Sequence, residues 1–339
     1  MPRAKESISL DSEIHRTSCI CLEKRGMIRS STSTAMPLSL QMFIAIFVMG
    51  AFLRSRALLT KNHAERLATF VFSVSLPATI LVSLDPVPLA PTVWKIPLAA
   101  CLITLPMVVC AWLLAHLLQL PRQTQGGFLL ATGSINSVYF AFPVILATFG
   151  NEGLTQAVLF DLGQTTLTLT VLYALAVWHG AQAVTPKSAV LRFLSSPPLW
   201  ALTCILTVKV SGHHLPPWLL EILSPLHFTT TPLASLVLGL SISFAAIRRT
   251  AWLATLGVMM RMGGGLLLGL GAIRCLDLTG LERAVVILVA AMPAAVSSVI
   301  LAAETDLDEE LVASIVALSV CLGVVILPWL PELATLLME

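Results

Sequence analysis

Residues 126–149 read GGFLLATGSINSVYFAFPVILATF. They hold no Asp, Glu, Lys or Arg, and they are long enough to cross a bilayer, which takes about 20 mostly apolar residues. Within this apolar run stand Asn136, Ser137 and Pro143. Pro143 has no N–H to offer the carbonyl of Tyr139, and its ring crowds the turn before it. A helix interrupted in this way survives in hydrocarbon only where protein or a watery cavity serves the freed polar groups. Residues 281–303 repeat the pattern, with Pro293 set against the carbonyl of Val289. Two interrupted spans at matching places in two halves of a chain point to a transporter with its site near mid-membrane.

Composition agrees. Of 339 residues, 57% are hydrophobic and 11% charged, with a mean hydropathy of +0.90. A soluble domain is about 45–50% apolar and about 25% charged. The chain therefore reads as an all-α, multi-pass membrane protein. A β-barrel would show alternating segments of roughly ten residues, and the sequence has none. A net charge of +2 is too small to suggest a nucleic-acid partner. Cys101, Cys110, Cys204 and Cys321 sit in apolar runs as small hydrophobes. Cys19 and Cys21 lack a partner pair with zinc spacing. No disulfide framework, metal site or cofactor is expected. Metalloprotease, nucleophile-elbow, P-loop and paired-aspartate motifs are absent from the sequence, so no enzyme is expected.

Residues 1–36 differ from the rest. They are polar and rich in Ser and Thr, and hold six Lys/Arg (Arg3, Lys5, Arg16, Lys24, Arg25, Arg29). No apolar segment follows these charges as in a signal peptide. They read as a disordered tail, or as a mis-assigned start upstream of Met36. Ten spans are expected near 37–53, 66–84, 95–118, 126–149, 153–178, 188–210, 216–245, 251–275, 281–303 and 310–335. The span at 188–210 is interrupted by Ser195, Ser196, Pro197 and Pro198.

A weak internal repeat relates SLPATILVSL (75–84) to TTPLASLVLGL (230–240). Pro77 and Pro232 lie 155 residues apart, and Pro143 and Pro293 lie 150 apart. The nearly equal offsets divide the chain into five-helix halves, 37–178 and 188–337. An odd number of spans per half turns the second half upside down, which is the inverted repeat of many secondary transporters. Basic residues in short loops set orientation. With the first span starting outside, the inside loops hold Arg54, Arg56, Lys61, Arg66, Arg122, Lys187, Arg192, Arg248 and Arg249, and the outside loops Lys95, Lys209, Arg274 and Arg283. Nine against four puts both termini outside. Counting the tail's six with the outside set would erase that bias.

Asn136, Tyr139, Phe140 and Pro143 recur at i, i+3, i+4 and i+7 and so share one helical face. An amide on that face can donate to a carboxylate or hold a cation through its oxygen. The half-helix near Pro143 points a positive dipole end at the break, which suits an anion. A polar residue joining helices is the alternative. Ser297 and Ser298 follow Pro293 by about one turn. They are candidates for the same site, although serines in membrane helices often bond their own backbone. Asp161, Gln164, Thr165 and Thr168 form a second stripe. A carboxylate inside a span is costly and marks a functional hypothesis. Asp161 with Gln164 is a candidate for proton or cation coupling, or a link to a neighbouring helix. Arg261, just before Gly263, Gly264 and Gly265, reads as a structural or snorkelling residue. The acidic run Glu304, Asp306, Asp308, Glu309, Glu310 reads as solvated capping.

These residues carry a resemblance. The chain from about 40 to 335 resembles the auxin efflux carrier family, which includes malate-type permeases. Residues 50–81, GAFLRSRALLTKNHAERLATFVFSVSLPATIL, look like its opening helix, basic loop and Leu-Pro span. Asn136, Ser137, Tyr139 and Pro143 match its N-T-G-F-x-G-x-P stretch in place or kind. GNEGLTQAVLFDLGQT (150–165) resembles its entry to the fifth span. AAMPAAVSSVILA (290–302) resembles its M-P-T-A-V-N motif at Met292 and Pro293. Val138 and Ala141 stand where the family commonly has glycine, and Ser297 where it commonly has asparagine. The resemblance implies ten helices in a five-plus-five inverted repeat, a scaffold and a transport domain, crossed broken helices four and nine, and organic-anion transport at the crossover. The expected function is thus a secondary transporter of small organic anions, chiefly carboxylates, working by alternating access in the plasma or inner membrane. Its partners are the substrate and the lipid bilayer, with a homodimer left open. A membrane receptor on the same fold is the rival, and an intramembrane enzyme a weaker one.

Overall fold

The computed structural model describes residues 38–87, 94–180, 194–241 and 244–329. The tail expected over 1–36, the basic loop residues Lys187 and Arg192, the side chains of Arg248 and Arg249, and residues 330–335 lie outside the described residues. Among the described residues all regular structure is helical. Seven helices are long and apolar enough to cross a membrane: Leu38–Ser55, Asn62–Leu84, Lys95–Leu117, Ser137–His179, Pro217–Ser241, Thr250–Leu276 and Glu309–Trp329. A shorter apolar helix covers Pro197–Val210. It starts where two prolines need no N–H, at the first turn.

In chain order the helices are α1 (Leu38–Ser55), α2 (Lys61–Phe70), α3 (Leu76–Leu84), α4 (Lys95–Leu117), α5 (Arg122–Gly133), α6 (Phe142–Leu167), α7 (Tyr173–His179), α8 (Pro197–Val210), α9 (Pro217–Ser241), α10 (Phe244–Val258), α11 (Gly265–Leu276), α12 (Gly280–Ala290), α13 (Ser297–Glu304) and α14 (Glu309–Ile326). The run from Ser137 to His179 has 43 residues. At 1.5 Å per residue it would measure about 65 Å, twice the bilayer core. Gly150, at φ +66°, breaks it, close to where the fourth expected span gives way to the fifth.

Pro143 does not make the first interruption. Helix α5 stops at Gly133, and Ser134 is extended at ψ 136°, so the break spans Ser134 to Asn136. Pro143 instead sits at the start of α6, behind a wide π-turn over Ser137–Ala141. There the N–H of Ala141 bonds Asn136 O at 3.0 Å, five residues back. Pro77 repeats the arrangement, at the start of α3 behind a π-turn over Val71–Ser75. The wide turn accommodates a ring that lacks a donor. The second interruption falls where expected, between α12 and α13, around Pro293.

Two sets of helices pack among themselves. In one, α9 lies along α1 and α3, and α8 lies on α3. In the other, α4 packs on α5, α6 and α11, α10 packs on α14, and α12 on α11 and α6. The α1–α9 crossing is close because both helices present glycine. A Cβ on Gly50 would stand 2.7 Å from Leu236 O, and one on Gly239 would collide with Phe47 O. Hydroxyls join α3 and the π-turn before it to α9: Thr79 Oγ1 lies 2.8 Å from Thr230 Oγ1 in a buried pair, and Ser75 Oγ lies 3.2 Å from Thr229 Oγ1.

The loops tie together at two ends. At one, Gln123 Nε2 donates to Asp306 O at 3.0 Å and Thr124 Oγ1 to Asp308 Oδ2 at 2.9 Å, while Arg122 bonds the carbonyl of Trp178. Asp308 also caps α14, accepting from Leu311 N at 3.0 Å, which matches the capping expected of the acidic run. At the other end Lys209 Nζ donates to Asp85 O at 2.7 Å, Leu215 N donates to Asp85 Oδ1 at 2.9 Å, and His214 Nδ1 lies 3.5 Å from Asp85 Oδ2.

Candidate functional site

The two interruptions meet. Ile135 and Ala294 form an isolated antiparallel bridge, and Asn136 N donates to Pro293 O at 2.9 Å. Ala294 N donates to Ser319 Oγ of α14 at 3.1 Å, and that hydroxyl donates to Val316 O at 3.0 Å. Backbone groups that would be orphaned in hydrocarbon are thus served by the other break and by one buried serine.

The ends of the first half-helices are held by a single cation. Arg261 is 0% exposed. Its Nη1 donates to Thr132 O at 3.0 Å and its Nη2 to Ala290 O at 2.8 Å. These carbonyls belong to the last turns of α5 and α12, so the guanidinium sits against two negative dipole ends. The planar fork of arginine suits two acceptors at once. Gly265, one turn later, is required there, because a Cβ would strike Ala290 O and Arg261 Nη2. Snorkelling to the interface is therefore not the role of Arg261. Gln164 completes the α5 end: its Nε2 donates to Gly133 O at 3.2 Å, and its Oε1 accepts from Thr104 Oγ1 at 2.5 Å.

On the other side of the joint the next helical segments begin, at Ser137 and Ser297. Asn136 is 1% exposed, and both its side-chain Oδ1 and Nδ2 are without a hydrogen-bond partner. The Ser137 hydroxyl, 2% exposed, is likewise unpartnered. Asp161 is buried as well, at 6% exposed. Thr165 Oγ1 donates to Asp161 Oδ2 at 3.3 Å.

Pro293 belongs to the joint through its carbonyl, whereas Tyr139, Ser297 and Ser298 fall apart from the cluster. Tyr139 is half-buried, and its hydroxyl donates to Ala68 O of α2 at 3.3 Å. Pro143 and Pro293 are buried. Ser298 bonds its own helix through Ala295 O at 2.6 Å. Ser297 is exposed. Sequence reasoning missed Ser319, Thr104 and the double cap by Arg261. The charge of Arg261 within a span was the one available signal.

Two clefts lie between the two helix sets. One, of about 460 Å³, is lined by Leu84 and Val87 beyond α3, Trp94 and Cys101 of the α4 segment, Leu159 of α6 and Lys209 of α8. The other, of about 440 Å³, is lined by Ala64 and Ala68 of α2, Ser241 of α9, Val296 and Val299 at α13, and Glu309 of α14. They adjoin opposite ends of the Asn62–Leu84 rod. Among the described residues no group of three His, Cys, Asp or Glu could hold a metal.

A multi-pass helical chain with two interrupted segments joined through their backbones belongs to the class of membrane transport proteins. The chain is a member of the auxin efflux carrier family, since the family model described as membrane transport protein matches residues 35–331. It is 30% identical over 289 residues to an uncharacterized transporter of Methanothermobacter thermautotrophicus, covering 84% of this chain and 94% of the relative. It is 26% identical over 288 residues to an uncharacterized transporter of Methanocaldococcus jannaschii, covering 82% and 92%. The family and these relatives mark a transporter, not an enzyme.

Proposed function

We propose that the protein is a secondary transporter of small organic anions, chiefly carboxylates, working by alternating access at the joint of its two interrupted spans. The observation that carries the anion reading is Asn136. Its buried amide has no hydrogen-bond partner among the described residues, and it immediately precedes a helical start whose dipole end is positive. A carboxylate arriving there would accept from the Nδ2 group and from exposed amides, while Arg261 holds the two negative ends away from it.

The alternating-access reading rests on the clefts, which separate the same two helix sets at opposite ends of one rod. In it, α1–α3, α8 and α9 are the scaffold and the remaining helices move. Counting each interrupted segment once gives ten crossings, five on each side of residues 181–193. The alternating gathering of loops at two ends supports that count, as does the pairing of α3 with α9, the segments related by the internal repeat. The nine-to-four bias of basic loop residues favours both termini outside, in a plasma or inner membrane.

Uptake of labelled malate into proteoliposomes is the test. The parent protein should equilibrate or accumulate it, and Asn136→Ala should lose it by at least about tenfold, as expected when a buried hydrogen-bond partner of a charged ligand is removed, while remaining monodisperse. Absence of uptake for malate and for a panel of mono-, di- and tricarboxylates would overturn the reading and favour a receptor.

A further inference from the structure

We propose that the cleft between α3, α4, α6 and α8 binds an anionic phospholipid, with one acyl chain in the cleft and the headgroup at Lys209. The cleft measures about 460 Å³, within the roughly 300–1,000 Å³ of ligand pockets. Leu84, Leu98, Leu159, Leu202 and Ile205 make its wall apolar. Thr166 also lines it, but its hydroxyl is spent on Leu162 O at 2.7 Å. Such a wall offers a small carboxylate no partner along its length, and an apolar cavity stays dry rather than holding water. The cleft is therefore a parted seam between the two helix sets and not the passage of the cargo.

Two observations say what fills it. The cleft opens sideways to hydrocarbon: Trp94 and Leu98, on its α4 wall, are 61% and 49% exposed, and α4 is long and apolar enough to cross a membrane. Its charge is confined to one end. Among the described residues Lys209 is the only charged side chain that lines it. Lys209 stands in the last turn of α8, and it shares this end of the cleft with Val87, just beyond α3, and Trp94, just before α4. Tryptophan and lysine at the ends of spans belong to the headgroup level. Leu202 lies seven residues back along α8, about 10 Å deeper at 1.5 Å per residue, where acyl chains are.

The charges at the mouth favour a negative headgroup. Lys209 Nζ donates to Asp85 O and to Val87 O, which leaves one of its three N–H groups for a ligand. The Asp85 carboxylate accepts from Leu215 N and lies beside His214. Lys95, next to Trp94 at the start of α4, adds a second positive charge, so the helix ends that frame the mouth carry two lysines against one carboxylate. A lipid phosphate there gains a charge-assisted hydrogen bond from Lys209, while its chain covers the apolar wall. A chain in this position props the seam open and must leave before the helix sets can close at this end; that regulatory role rests on the alternating-access reading above, whereas the site itself does not.

The experiment uses the full chain in phosphatidylcholine vesicles with a trace of phosphatidylglycerol carrying a diazirine midway along one acyl chain. After irradiation, mass spectrometry maps the adducts. They should gather on residues 94–101 and 202–209, and a phosphatidylcholine probe of the same chain should label these segments about fivefold less, the worth of one basic residue at an anionic surface. Lys209→Met should erase that preference. Leu202→Trp, which fills the cleft and leaves Lys209 in place, should cut the adducts there at least about fivefold while those at lipid-facing Leu113 persist; it decides the matter if Lys209→Met does not fold. Saturating malate should displace nothing. Equal labelling by the two probes, undiminished labelling of Leu202→Trp, or displacement by malate overturns the site. Labelled malate uptake by the parent should also slow as unlabelled phosphatidylglycerol replaces phosphatidylcholine. The expected adducts without that slowing would uphold the site and overturn its regulatory role, and the expected adducts with no malate uptake at all would uphold the site and defeat the substrate reading.

Discussion

At the scale of single residues, the joint depends on side chains that bond backbone, and Arg261 is the clearest. Arg261→Lys keeps the charge but replaces a two-pronged fork by one ammonium. Either Thr132 O or Ala290 O then loses its partner in a buried site, at a cost of about 1–3 kcal/mol. The variant should unfold several degrees lower than the parent in detergent, and Arg261→Gln lower still; equal melting temperatures would show that neither carbonyl needs the fork. Only part of this was legible beforehand. A charge inside a span announces that it matters, but its partners are carbonyls, which every residue has, so nothing in the sequence singles out Thr132 or Ala290. Ser319 was hidden for the opposite reason. A serine in an apolar run looks like one that bonds its own helix, as Ser298 does. Asn136 was found because an amide deep in an apolar stretch has few uses, and the same logic found Asp161.

At the scale of elements, hydropathy marks out the apolar stretches that form the seven long helices among the described residues, because a bilayer demands a fixed length of apolar chain. The interruption in the fourth segment was misplaced by several residues. Proline reads as the breaker from the sequence, yet at a helix start it breaks nothing. The real break, Ser134 to Asn136, contains no breaker and is held open by contacts with Pro293, Ala294 and, through Gln164, α6. Tertiary contacts of that kind have no local signature. The place of Pro143 at the start of α6 decides what Pro143→Ala should do. Restoring the N–H lets the π-turn over Ser137–Ala141 relax into an α-turn, which rotates Asn136 against α6, but the break remains. Transport should fall by less than in Asn136→Ala, with a modest gain in thermal stability. Complete loss of transport from Pro143→Ala, equal to that of Asn136→Ala, would mean that the proline itself shapes the site.

At the scale of the whole molecule, the two-ended gathering of loops makes a labelling experiment decisive. In a background cleared of native cysteines, His213→Cys and Thr279→Cys should react with an impermeant thiol reagent on intact cells, whereas Leu58→Cys and Pro121→Cys should be shielded. The reverse pattern would flip the orientation, and a mixture within either pair would break the ten-crossing count. Ile135 and Ala294, and Asn136 and Pro293, are held to each other through main-chain atoms, while the side chains of Arg261, Gln164 and Ser319 brace the ends on either side. Val138, Ala141 and Ser297 lie within a few positions of that fastening. Residues that take no part in the bracing can therefore vary beside the joint without unfastening it, at the centre of the molecule, where most proteins tolerate change least.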